Sequence, residues 1–184
     1  MIKEATAFAE QVHYGAVRKG TPIPYITHPL EAAIIVTMMT GDEELIAAAL
    51  LHDSIEDAGV TYAEIKQRFG TRVADLVQEE SEDKSKSWIE RKSATIEHLQ
   101  YAGRDAKILA LADKLSNIRS TARDYLLMGE DVWNRFHVKD KEQHAWYYLS
   151  MAEGLKELKP FPEYEEYVKL CHLVFGDGHR IFEQ

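Results

Sequence analysis

The chain has 184 residues and a formal net charge of −9. A chain of this length can bury a hydrophobic core as one domain without a disulfide. Its single cysteine, Cys171, cannot form an internal disulfide, which favours a reducing, cytoplasmic compartment. The acidic charge and the lack of a long basic run argue against a nucleic-acid polymer as partner. We expect neither export nor membrane insertion, because the chain shows no signal-peptide pattern and no apolar run long enough for a membrane span.

Apolar residues recur at the helical period along most of the chain. The segment from 14 to 28 is interrupted by glycine and proline, which places His28 at a junction between a loop and a helix that restarts at Pro29. No stretch alternates as a half-buried strand does, so the sequence predicts an all-α protein. Helices are expected over residues 2–13, from 29 to about 40, from about 43 to 58, after the caps at Thr61 and Ser87, from about 105 to 122, from 139 to 157 and from 162 to 175.

Ionisable residues interrupt two of the apolar helical segments. In the first, residues 49–57 (ALLHDSIED), His52 and Asp53 follow three apolar residues, and Glu56 and Asp57 come one turn later. A helical face that carries an imidazole and three carboxylates is costly to bury unless a cation compensates the charge. A bound metal ion would supply that cation.

The second interrupted segment, residues 109–117 (LALADKLSN), carries Asp113 and, one turn later, Asn117. We expect His28, His52, Asp53 and Asp113 to hold one ion, since two nitrogens and two carboxylate oxygens suit Mn²⁺, Fe²⁺, Co²⁺ or Zn²⁺ better than Ca²⁺ or Mg²⁺. Mn²⁺ is the ion that we predict. Any one of these residues alone would be an ordinary core histidine or solvated aspartate, and only their combination indicates a metal site.

The other histidines have no comparable neighbours and are interpreted as ordinary polar residues; they are His13, His98, His137, His144, His172 and His179. The aromatic segment from Met128 to Tyr148 is interpreted mainly as core packing, with a role as a lid over the substrate left open.

Four motifs occur in the order and spacing of the hydrolase domains of RelA/SpoT homologues: RKGTPIPYITHP, ALLHDSIED, EDKSKSWIERK and LALADKLSNIR. The chain resembles the stand-alone small alarmone hydrolases of that family, which implies a single HD-type domain over residues 1–184. The Glu56-Asp57 doublet is the most specific part of the resemblance. One departure is Glu80-Ser81, where the family more often has Val-Thr or Leu-Thr.

The resemblance also implies roles for particular residues. His28, His52, Asp53 and Asp113 take the positions of Mn²⁺ ligands, Glu56 and Asp57 those of the pair that handles the attacking water, and Arg18, Lys19 and Asn117 those of substrate-binding residues. The implied reaction removes the 3′-pyrophosphate of guanosine tetra- or pentaphosphate through a metal-activated water, leaving GDP or GTP. The partner would be a small phosphorylated nucleotide.

Other functions remain open at this stage. An adenine alarmone hydrolase, a nucleoside 5′-monophosphatase or a nucleotide triphosphohydrolase would use the same four ligands, although the Glu56-Asp57 doublet argues against the last two. A dinuclear cyclic-nucleotide phosphodiesterase would need further histidine ligands. A non-catalytic alarmone sensor is the alternative from another class, and the sequence leaves open whether the chain forms a homodimer.

Overall fold

The computed structural model describes residues 1–176 and is all-α, as predicted. Over this range it contains no β-strand, and an isolated bridge pairs Val17 with Pro24. The α-helices are α1 (Ile2–Val12), α2 (Thr27–Met39), α3 (Glu43–Leu51), α4 (Ser54–Ala58), α5 (Tyr62–Phe69), α6 (Thr71–Glu80), α7 (Trp88–Leu99), α8 (Arg104–Met128), α9 (Lys141–Gly154) and α10 (Pro162–Phe175), and two 3₁₀ helices span Gly129–Arg135 and Lys156–Leu158.

The centre of the fold is formed by α3 and α8. Every residue of α3 from Leu45 to Leu51 is buried, and Ala47, Ala48 and Ala49 are completely inaccessible. Three small residues in succession let neighbouring helices approach from several sides, and α3 packs against α1, α2, α6 and α8. In helix α8 the consecutive residues 106–113 are all buried, which is the pattern of a helix in the interior. Polar side chains on these two elements are therefore buried by the fold itself.

Local sequence signals account for several helix starts. Asp42 begins α3 by accepting hydrogen bonds from the amides of Glu44 and Leu45. Thr61 accepts one from the amide of Glu64, and Ser87 forms a complete capping box with Glu90.

The predicted helix from about 43 to 58 is divided in the structure. Helix α3 ends at Leu51 and α4 begins at Ser54, so His52 and Asp53 form the break between them. On an unbroken helix consecutive side chains point about 100° apart. The break allows both side chains to reach the same point. No helix within residues 1–176 is both long and apolar enough to cross a membrane.

Candidate metal centre and its cavity

The four predicted metal ligands come from three parts of the fold. His28 lies in the first turn of α2, His52 and Asp53 lie in the break between α3 and α4, and Asp113 lies in α8. The Nε2 atom of His28 is 3.1 Å from that of His52 and 3.1 Å from Asp113 Oδ1. The Nε2 atom of His52 is 3.0 Å from Asp53 Oδ2. His28, His52 and Asp113 are buried, whereas the Asp53 side chain is 18% exposed.

Hydrogen bonds at the opposite ring nitrogens orient both imidazoles. His52 Nδ1 lies 2.8 Å from the Ala49 carbonyl oxygen, which can only accept, so Nδ1 carries the proton. His28 Nδ1 lies 2.8 Å from Ser116 Oγ, and the Ser116 hydroxyl donates to Glu31 at 2.8 Å, so His28 Nδ1 is also the donor. Both neutral rings therefore direct an unprotonated Nε2 towards the same point, as metal-binding histidines do.

This arrangement needs a positive charge at its centre. Two nitrogen lone pairs face each other at 3.1 Å and cannot form a hydrogen bond while both rings are neutral. Burial lowers the pKa of His52, but Asp53 and Asp113 outweigh burial and raise it to about 10, so the surroundings of this ring favour a positive charge. The ligand atoms of His28, His52 and Asp113 all lie within 4.8 Å of one another. With Asp53 Oδ2, which lies 3.5 Å from His28 Nε2, they provide two imidazole nitrogens and two carboxylate oxygens, a set that fits a divalent transition-metal ion.

Asp113 is held by two further contacts, both with residues of α8. Its Oδ1 accepts a hydrogen bond from Asn117 at 2.6 Å, and its Oδ2 pairs with the ammonium of Lys114. Burial raises the pKa of Asp113, but Lys114 and the imidazoles of His28 and His52 outweigh burial and hold it well below the ordinary range. Asp113 is therefore an ionised carboxylate.

Tyr25 joins the four predicted metal ligands, called the metal cluster below, to the acidic doublet of Glu56 and Asp57. Its hydroxyl donates to Asp53 Oδ2 at 2.5 Å and lies 3.3 Å from Asp57 Oδ2. Burial and the charge of Asp53 raise the pKa of Tyr25, so the hydroxyl stays protonated. Sequence reasoning missed this residue, and its place three residues before His28 was the signal that could have found it.

Glu56 and Asp57 lie beside the cluster in different environments. Glu56 is 17% exposed, accepts the backbone N–H of Glu82 at 3.1 Å, and has its pKa raised by burial. Asp57 is 40% exposed, and the ammonium of Lys84 lies 2.5 Å from its Oδ1. Glu56 is therefore better placed to take up a proton, whereas Asp57 is neutralised by a cation.

Two of the predicted substrate-binding residues, Arg18 and Asn117, contact each other next to Asp113. Arg18 donates to Asn117 Oδ1 at 2.8 Å, and Lys19 is exposed on the same loop. The next residue, Gly20, has φ +67° and presses against Arg135, since a Cβ at Gly20 would lie 2.7 Å from Arg135 Cγ. The 3₁₀ helix at residues 129–135 therefore supports the loop that carries Arg18 and Lys19.

All nine predicted site residues line one cavity of about 620 Å³. Seven cationic and seven acidic side chains line it, so its formal charge is zero before an ion binds. Glu80, which departs from the family pattern, also lines it, and burial raises the pKa of Glu80 to about 7.

The aromatic segment from 128 to 148 serves both the core and the cavity. Trp133 is 5% exposed and stacks on His144 and Phe175, as core packing requires. Phe136, His137, His144 and Tyr147 contribute to the cavity wall.

The remaining histidines lie in varied surroundings. His13 is buried beside the Tyr25 ring, His98 pairs with Glu79 at 2.6 Å, and His172 lies in α10. His179 lies outside the described residues.

The helical fold and the His/Asp cluster define an HD domain, and the HD domain family matches residues 5–138. The chain belongs to this family. It is 40% identical over 181 residues, covering 97% of this chain and 95% of its relative, to guanosine-3′,5′-bis(diphosphate) 3′-pyrophosphohydrolase MESH1 of Xenopus tropicalis.

Two solved structures share the fold. A protein of Listeria monocytogenes EGD-e is 35% identical with a TM-score of 0.75, over 80% of this chain and 98% of that chain. A metazoan orthologue of SpoT, described as hydrolysing ppGpp, is 26% identical with a TM-score of 0.77, over 93% of each chain.

Proposed function

We propose that the protein hydrolyses guanosine tetra- and pentaphosphate at the 3′ position, releasing pyrophosphate and leaving GDP or GTP. The observation that carries the proposal is the Glu56-Asp57 doublet joined through Tyr25 to a cluster of two histidines and two aspartates in one cavity. The naming of the Xenopus relative as a 3′-pyrophosphohydrolase, at 40% identity over nearly the whole chain, supports the same reaction.

His28, His52, Asp53 and Asp113 would hold the ion, which we propose to be Mn²⁺. When bound, such an ion polarises a phosphoryl oxygen and makes water more acidic. The four side chains contribute two neutral rings and two negative charges, so the ligands cancel the charge of a divalent ion without reversing it. The ribose 3′-oxygen would be the leaving atom, and the pyrophosphate would leave intact.

Glu56 would accept the proton of the attacking water. Its partial burial and raised pKa bring its basicity closer to that of a base working near neutral pH. Asp57 would orient the water while Lys84 neutralises its charge and Tyr25 fixes its position relative to Asp53. This division gives each carboxylate of the doublet a separate task.

Arg18, Lys19 and Asn117 would bind the nucleotide. A guanidinium can stack on a purine and also bind phosphate, which suits Arg18. The cavity carries no formal excess of positive charge on its own, so a polyphosphate would bind mainly to the metal-loaded protein. We further propose that residues 1–184 act as one domain in the cytoplasm on a small nucleotide, without a nucleic-acid polymer or a membrane as partner.

The test is to incubate the Mn²⁺-loaded protein with guanosine tetraphosphate and its adenine counterpart and to identify the first phosphate species released. Pyrophosphate with GDP is the expected result for the guanine substrate. Orthophosphate as first product, or activity confined to nucleoside 5′-monophosphates, would assign the protein to another class of HD phosphohydrolase. Tight binding of the nucleotide without turnover would indicate a sensor.

A further inference from the structure

Tyr147 has a buried hydroxyl without a hydrogen-bond partner among the described residues. The residue is 3% exposed and contributes to the wall of the cavity that also contains the His/Asp cluster. Other buried tyrosines nearby are satisfied, since Tyr164 donates to the Ala152 carbonyl and Tyr167 to the Tyr148 carbonyl, each at 2.9 Å. A buried hydroxyl without a partner is uncommon and destabilises the protein that contains it, so this one calls for an explanation.

Two ammonium groups lie beside the Tyr147 ring, and each also pairs with a carboxylate, Lys92 with Glu82 and Lys114 with Asp113. The ammonium of Lys92 lies 4.8 Å from the centre of its ring and that of Lys114 lies 5.8 Å away. Lys114 pairs with Asp113, so the Tyr147 ring lies close to the metal cluster. Burial raises the pKa of the Tyr147 hydroxyl, which keeps it protonated and able to donate at neutral pH.

We infer that the Tyr147 hydroxyl donates a hydrogen bond to a phosphoryl oxygen of the substrate beside the metal cluster, with Lys92 and Lys114 next to the same group. This inference rests on the proposed function for the identity of the substrate. A phosphate oxygen accepts hydrogen bonds and carries negative charge, so it satisfies the free hydroxyl and is attracted by both ammonium groups. Tyr147 is thus a substrate-binding residue within a helix that otherwise packs in the core.

The experiment compares Tyr147→Phe with Tyr164→Phe, both in the Mn²⁺-loaded protein. Tyr147→Phe removes a hydroxyl that has no partner in the free protein, so its Tm should stay the same or rise. Its KM for guanosine tetraphosphate, and its Kd for inorganic pyrophosphate by calorimetry, should rise about tenfold, as for the loss of one charge-assisted hydrogen bond. Tyr164→Phe loses a bond to a carbonyl in the core, so its Tm should fall while KM and Kd stay unchanged.

The two readouts separate this inference from the proposed function. If the wild-type protein hydrolyses guanosine tetraphosphate, an unchanged KM and Kd in Tyr147→Phe overturn the inference, and a fall in Tm would then make the hydroxyl structural. If the wild-type protein does not hydrolyse guanosine tetraphosphate, the proposed function fails, and pyrophosphate binding then decides whether Tyr147 binds an anion. Weaker binding by Tyr147→Phe than by Tyr164→Phe supports the anion site, whereas equal binding, or none by the wild type, overturns it.

Discussion

Substitution of Ser116 tests the proposed metal centre, because Ser116 orients His28 without being a proposed ligand itself. Its hydroxyl accepts a hydrogen bond from His28 Nδ1 at 2.8 Å and donates one to Glu31 at 2.8 Å, and Arg119 also donates to Glu31 at 3.1 Å. Ser116→Ala would leave a buried ring N–H without an acceptor while Glu31 keeps its bond to Arg119. Removing such an orienting partner typically lowers metal affinity about 10- to 100-fold, or about 1.4 to 2.8 kcal/mol.

The measurement is a titration of metal-free protein with Mn²⁺ against a competing chelator. Ser54→Ala is the matched control, because Ser54 is as deeply buried as Ser116 but its hydroxyl has no hydrogen-bond partner among the described residues. The control should bind Mn²⁺ like the wild type. Equal Mn²⁺ affinity in Ser116→Ala and wild type would refute the reasoning. It would mean that the hydrogen bond to Ser116 does not fix the His28 tautomer through which Nε2 binds the ion.

Three further predictions follow from the site. Removing the proposed ion with a chelator should lower the Tm, because the ion would join α2, the α3–α4 break and α8; an unchanged Tm in calorimetry would contradict this. Glu56→Gln and Asp57→Asn should retain the metal, as measured by elemental analysis, while kcat falls about 10²- to 10⁴-fold. Loss of the metal in these variants would instead place Glu56 and Asp57 among the ligands. Burial raises the pKa of Glu80 from 4.5 to about 7, so its ionised form destabilises the fold as the pH rises through that range. The Tm advantage of metal-free Glu80→Gln over wild type should therefore grow from about pH 4.5 to about pH 7 and then level off, whereas a constant difference across this range would exclude the raised pKa.

Helix positions were predictable where local signals determine them. The predicted helix at 162–175 matches α10, whose first residue is Pro162, and the predicted helix from about 105 lies within α8. The break at His52 and Asp53 was not predictable, because no glycine or proline marks it. It depends on packing around α3, which only the folded chain provides.

The composition of the site was partly readable from sequence. His52, Asp53 and Asp113 stood out because they interrupt apolar segments, and His28 because it lies where a loop meets the helix that restarts at Pro29. The structure brings these four proposed ligands together. Tyr25 and Tyr147 did not stand out, since an aromatic residue in a helical or loop pattern is normally a core residue. Their distinguishing properties are a hydrogen bond to Asp53 and a hydroxyl without a partner, and both depend on residues far away in the chain.

The contact between His28 and Ser116 spans 88 residues of sequence. During synthesis, three of the four proposed metal ligands emerge long before Asp113, and α8 must then pack against α2 before the set is complete. Contacts between residues so far apart in sequence are slow to form, because a long loop must close first. Metal uptake would therefore be a late event in the life of the nascent chain, and a bound ion would mark a molecule whose central helices have already assembled.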